Sequence, residues 1–249
     1  MPPALLRLSR RLLWFALLPL SLLAGCRLYE APIYQHLAPH ARVQKILFIG
    51  NSLTFYNDLP GLLEQLSARE DQPLLQDNVT FANASLAFHW NFTAARRHLD
   101  QGGWAFVVLQ EYSTRPASDP AATLRDYRLW GPAVTALGAR PILFENWPHQ
   151  GQESDAPTMH ATYLQAQKEI GGDLAPIGPA FLLCQKEHPE IDLFADEKHP
   201  TVAGTYLAAC VLYKTLYHKP AAGLPTSMTG LKLSPYLAAT LQQIADTTQ

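Results

Sequence analysis

Apolar runs of strand length alternate along the chain with longer segments whose hydrophobic residues recur at helical spacing, which argues for βαβ units and a parallel sheet. The pattern predicts strands near residues 45–50, 77–82, 104–110, 140–145 and 173–177. Helices are predicted near 59–71, 86–101, 120–138, 158–171 and 201–217. Pro60 suits the first turn of the first helix, and Pro200 precedes the last. Right-handed crossovers of this length give an α/β fold, a three-layer α/β/α sandwich with a doubly wound, mainly parallel five-stranded sheet. Ligands of such sheets bind at the carboxyl ends of the strands. Ser52, Gln110 and Asn146-Trp147 all fall just past predicted strand ends, so this topology gathers them on one edge. Residues 218–249 read as a loop and a short amphipathic helix, 233–245, packing on the same domain 44–217.

The first 25 residues stand outside this pattern. Arg7, Arg10 and Arg11 precede a short apolar run from Leu12 to Leu23, the layout of an export signal. The run is short for a membrane span, which needs roughly 20 residues. It ends in Leu23-Ala24-Gly25-Cys26, which resembles the bacterial lipobox, whose cysteine takes a lipid and becomes the mature N-terminus. An ordinary cleaved signal is the alternative. Residues 26–43, with Pro32 and Pro39, read as a tether, and the expected location is the cell envelope, at the outer membrane. A net charge of −2, with no basic cluster interleaved with aromatics, gives no nucleic-acid partner. Cys184 and Cys210 lie in apolar runs and read as small buried hydrophobes, with a disulfide the alternative. No Cys/His cluster has metal-ligand spacing, and no cofactor is expected.

Chemistry enters at two distant segments. Ser52 follows the first predicted strand in Gly50-Asn51-Ser52-Leu53-Thr54, and Asp196-Glu197-Lys198-His199-Pro200 sets a carboxylate three residues before a histidine. A serine hydroxyl needs a base to become a nucleophile, and a base needs an orienting group. Ser52, His199 and Asp196 offer those three roles in order. The plain alternative is that Ser52 caps a helix, while Asp196 and His199 are loop groups capping another. The Gly-x-Ser-x-Gly elbow of α/β-hydrolases is absent.

The segment 46–54, followed by Tyr56-Asn57-Asp58-Leu59-Pro60, resembles the first block of the SGNH (GDSL-type) hydrolases in a branch whose serine motif reads Gly-Asn-Ser. Asp196-x-x-His199-Pro200-Thr201 with Gly204-Thr205-Tyr206 is similar to that family's last block, and Val107-Val108-Leu109-Gln110-Glu111 to its third. The resemblance implies a flavodoxin-like fold and ester hydrolysis by a Ser52-His199-Asp196 triad through an acyl-enzyme. The implied substrate is a small-molecule or glycan ester, with removal of short acyl groups from carbohydrate leading. Lipase or lysophospholipase action, or a non-catalytic glycan-binding lipoprotein, are the alternatives.

The same resemblance implies an oxyanion hole from the Ser52 N–H, a glycine N–H after the second strand and an asparagine after the third. The chain departs from it at both latter places. Asn83 stands nearest the glycine position, and Asn tolerates the left-handed conformation. Gln110 is the expected side-chain donor, with Tyr112 the alternative. Trp147, Tyr112 and His89 are pocket candidates, with a core reading beside Trp147 and His89. Glu111 reads as a structural hydrogen-bonding group within the cleft. The oligomeric state is left open.

Overall fold

The computed structural model describes residues 42–249, so the expected export signal, Cys26 and nearly all of the expected tether lie outside the described residues. Among the described residues, no helix is long and apolar enough to cross a membrane.

Five parallel strands form the centre: β1 (Gln44–Gly50), β2 (Leu74–Thr80), β3 (Trp104–Gln110), β4 (Arg140–Phe144) and β5 (Asp173–Ala175), in the order β2-β1-β3-β4-β5. Ile46 to Ile49 and Val107 to Leu109 are wholly buried, because both faces of a parallel sheet carry helices. Strand periodicity splits them. Ile46, Phe48, Val108 and Phe144 join one core with α2 (Leu59–Ser67), α8 (Ile177–Glu187) and α9 (Val202–Tyr217). Leu47, Ile49, Val107 and Leu143 join the other, with α3 (Leu86–Phe92), α4 (Ala95–Asp100), α6 (Pro120–Ala136) and α7 (Ala156–Ile170). Short helices α1 (Ser52–Phe55) and α5 (Arg115–Ser118) follow β1 and β3. The chain leaves β1 toward β2 and returns to its other side as β3. That reversal is the switch point where such sheets open a crevice, and Ser52 stands at it.

The C-terminal segment carries a two-residue hairpin (Ser227–Met228, Leu231–Lys232) and α10 (Pro235–Thr247). Ala238, Leu241 and Ile244 of α10 enter the α9 core. Lys214 Nζ donates to the carbonyls of Ala245, Asp246 and Thr248 at 3.1, 2.8 and 2.8 Å, neutralising the end of α10.

Several elements differ from the sequence pattern, and α2 ends at Ser67, four residues short of the expected 71. β2 begins at Leu74, three residues early, because this edge strand is half-buried and its Gln76-Asp77-Asn78 centre hides it from a hydrophobicity reading. The helix expected over 86–101 breaks at Thr93, whose backbone is extended and whose hydroxyl accepts from the Ala95 N–H at 3.1 Å. Helix α8 is absent from the sequence pattern, since Pro176, Gly178 and Pro179 look like breakers. Its start packs so closely on the segment after β4 that a Cβ on Gly178 would lie 2.3 Å from the Asn146 carbonyl. Cys184 and Cys210 are both free and buried.

Candidate active site

β1 ends at Gly50, where an added Cβ would lie 2.4 Å from Thr54 Oγ1 and 2.7 Å from Gln110 Oε1. The next residue organises the turn. Asn51 is extended and caps α1, its Oδ1 accepting from the Leu53 N–H at 3.1 Å. Its Nδ2 donates to the carbonyls of Ala84 (2.9 Å) and Glu111 (3.3 Å), so one side chain ties together the loops after β1, β2 and β3. Because Asn51 is the cap, the Ser52 hydroxyl is spared that role.

The second segment is a tight loop closed by the Ala195 N–H on the His199 carbonyl at 2.8 Å. Asp196 Oδ1 accepts from the backbone N–H groups of Lys198 and His199, both at 2.8 Å, and Oδ2 meets His199 Nδ1 at 2.7 Å. These contacts, led by the His199 backbone N–H and then its ring, hold the Asp196 carboxyl well below the usual carboxylate range. His199 Nε2 lies 2.9 Å from Ser52 Oγ, across 147 residues of chain. The serine is 7% exposed, open at the carboxyl edge of the sheet.

Two residues that the sequence left without a role hold this arrangement. The Tyr56 ring stacks on His199, centroids 4.3 Å apart and planes within 9°. Asn57 Nδ2 donates to the Pro200 carbonyl at 3.0 Å and to Thr205 Oγ1 at 2.9 Å, binding the serine segment to the histidine segment. Asn57 and Asp58 both take positive φ, 50° and 52°, a conformation that favours short polar side chains. Consecutive Asn-Asp before Leu59-Pro60 is the sequence signal for that bend.

Asn83 adopts φ 58°, the left-handed conformation a glycine would supply, in an exposed turn pinned by the Phe81 N–H to the Gly50 carbonyl at 3.1 Å. Neither the Ser52 N–H nor the Asn83 N–H has an acceptor among the described residues.

The structure corrects Gln110. Its side chain is wholly buried and fully engaged. Oε1 accepts from the Asn51 N–H at 2.7 Å and the Thr54 hydroxyl at 3.1 Å, while Nε2 donates to the Glu111 carbonyl and to Asn146 Oδ1 at 3.2 Å. An amide spent this way has no donor left for an oxyanion; it braces the serine turn from beneath. Gln110→Ala strands the Asn51 N–H and the Thr54 hydroxyl in the interior and is expected to cost about 3 kcal/mol or more. For a domain of this size the melting temperature should fall by roughly 6–12 °C. A normal melt with kcat alone reduced would restore Gln110 as an oxyanion donor.

For His89 and Trp147 the structure takes the core reading and overturns the pocket one. Both are completely buried. His89 Nε2 contacts the Gly50 carbonyl at 2.8 Å, and burial lowers its pKa. Trp147 stacks on Phe181 at 4.1 Å, and its indole N–H donates to the Lys198 carbonyl at 2.9 Å, so it supports the Asp196–His199 loop from within the core. Tyr112 is half-buried beside the cleft, its N–H donating to Glu111 Oε1 at 2.6 Å. Glu111 also accepts from the Leu86 N–H at 3.3 Å, and burial pushes its carboxyl up to about 8. A separate cavity of about 450 Å³, lined by Glu145, Pro148, Met159, His160 and Leu182 among others, includes none of Ser52, Asp196 and His199.

No family model and no curated protein matches the chain. Among solved structures, it is 30% identical to a Slackia heliotrinireducens protein described as "a putative SGNH hydrolase". That match covers 70% of this chain and 100% of the other, with a TM-score of 0.62. A DUF4886 family protein from Bacteroides uniformis is 17% identical over 82% of this chain and 93% of its own, TM-score 0.68. An acetylxylan esterase from Geobacillus stearothermophilus is 17% identical over 71% and 95%, TM-score 0.54. The last two share the fold. With the whole length of a 30% identical relative covered, the chain belongs to the SGNH hydrolase family.

Proposed function

We propose that the protein cleaves short-chain esters of carbohydrates by a two-step mechanism on Ser52. The observation that carries this reading is the unbroken hydrogen-bonded line Asp196 Oδ2, His199 Nδ1, His199 Nε2, Ser52 Oγ, with links of 2.7 and 2.9 Å. His199 takes the hydroxyl proton as Ser52 Oγ attacks the ester carbonyl, and Asp196 holds the ring in the tautomer that can accept it. The N–H groups of Ser52 and Asn83 are the donors offered to the oxyanion. His199 then protonates the departing alkoxide. Water, deprotonated by the same imidazole, releases the acid from the acyl-serine.

The acetylxylan esterase of the same fold supports a short acyl group on a sugar. A lipid on Cys26 would tether the enzyme in the bacterial envelope, near such substrates. A lipase reading has one observation of its own. Phe81 and Phe92 are 58% and 76% exposed and form a ladder through Phe88, with centroid spacings of 5.4 and 5.5 Å, beside the Asn83 turn. A fluorophosphonate should label Ser52, read by peptide mass spectrometry, and rates on nitrophenyl esters should peak at acetate. An unlabelled, folded protein would overturn the hydrolase assignment to Ser52; a peak at octanoate would favour the lipase reading.

A further inference from the structure

We infer that His149, oriented by Ser113, forms the subsite for the leaving alcohol, and that this alcohol is a polyol bearing a hydroxyl next to the esterified oxygen. The inference rests on Ser52 being the nucleophile. Across the carboxyl edge the loops follow the sheet order: Asn83 after β2, Ser52 after β1, Ser113 after β3 and His149 after β4. The candidate oxyanion N–H of Asn83 is therefore on one flank of the serine, and Ser113 with His149 on the other.

His149 is also held against the loop that must supply the proton. On one side of it the Trp147 indole donates to the Lys198 carbonyl at 2.9 Å; on the other, the Gln150 N–H donates to the Glu197 carbonyl at 2.8 Å. When the tetrahedral carbon expels the alcohol, the C–O bond breaks with its electron pair on oxygen and His199 Nε2 gives that oxygen its proton. The alcohol must then lie on the His199 flank, where His149 stands.

The chemistry of the subsite selects the alcohol. His149 is half-buried, and its Nε2 lies 3.1 Å from the buried Ser113 hydroxyl, which fixes the ring. Its Nδ1 has no partner among the described residues and remains for a ligand. Burial, followed by the nearby Lys198 charge, lowers the His149 pKa, so the ring meets the ligand as a neutral imidazole. A neutral nitrogen on the His199 flank suits a second hydroxyl on the alcohol; a phenol or a simple alkanol has nothing to bind there.

The test compares two acetyl esters that share the acyl half: a monoacetylated methyl xyloside with a free vicinal hydroxyl, and nitrophenyl acetate. In His149→Ala the ratio of kcat/KM, xyloside over nitrophenyl ester, should fall about tenfold, chiefly through KM on the xyloside. Ser113→Ala should lower the same ratio about threefold. His149→Asn, which keeps a polar atom near the Nδ1 position, should recover part of the loss. A ratio within twofold of wild type in both His149→Ala and Ser113→Ala overturns the subsite. Should His149→Ala fail to fold, Ser113→Ala and His149→Asn decide the matter by the same ratio. Fluorophosphonate labelling of wild type separates the two failures: label present with an unmoved ratio removes only the subsite, while label absent removes Ser52 as nucleophile.

Discussion

Ser52→Ala is expected to leave a folded protein whose kcat on a short-chain ester is lower by roughly 10⁵ to 10⁶, the scale seen when a triad serine is removed. The Ser52 hydroxyl meets only His199 Nε2, and the helix it begins is capped by Asn51, so no structural bond of the turn depends on the hydroxyl. The thermal melt should therefore stay close to wild type. His199→Ala should lose about as much, and the double variant little more, because the pair acts as one unit. Near-full turnover of nitrophenyl acetate by Ser52→Ala would end its assignment as nucleophile.

Asp196→Asn should lower kcat by about 10⁴ without disturbing the loop. The amide oxygen can still accept the N–H groups of Lys198 and His199 that Oδ1 accepts at 2.8 Å. Its NH₂ group would then face His199 Nδ1, which could only accept. The ring proton would be forced onto Nε2, toward Ser52, and the imidazole could no longer take the serine proton. A loss of only a few-fold, measured as kcat on the same ester, would mean that another carboxylate, with Glu197 adjacent, orients the ring.

Under the proposed mechanism these losses are large because chemistry, orientation and proton transfer converge on one serine. The remaining parts of the site are supports. Tyr56 backs the imidazole, Trp147 holds the Lys198 carbonyl, and Gln110 and Asn51 brace the serine turn. Each acts through a neighbour, so each should change stability or loop position before it changes the chemical step.

The sequence by itself determined the five strands and most of the helices between them, the place of Ser52 after β1, and the Asp196–His199 pair. Those features are local: an apolar run, a three-residue spacing and a short motif keep their meaning wherever the chain goes. Only the tertiary structure decided which polar side chains face the cleft. Gln110 sits at a strand end, where a donor was expected, yet its partners Asn51 and Asn146 are 59 and 36 residues away and turn it inward. Trp147 and His89 admit both a pocket and a core reading in the sequence, and Phe181 and the Gly50 carbonyl decide for the core. Helix α8 was illegible because its Pro and Gly residues signal a turn locally, whereas burial of Ile177, Ala180, Phe181 and Cys184 against the sheet outweighs that preference. A side chain's direction is set by the distant groups that satisfy it, and a linear pattern does not carry those partners.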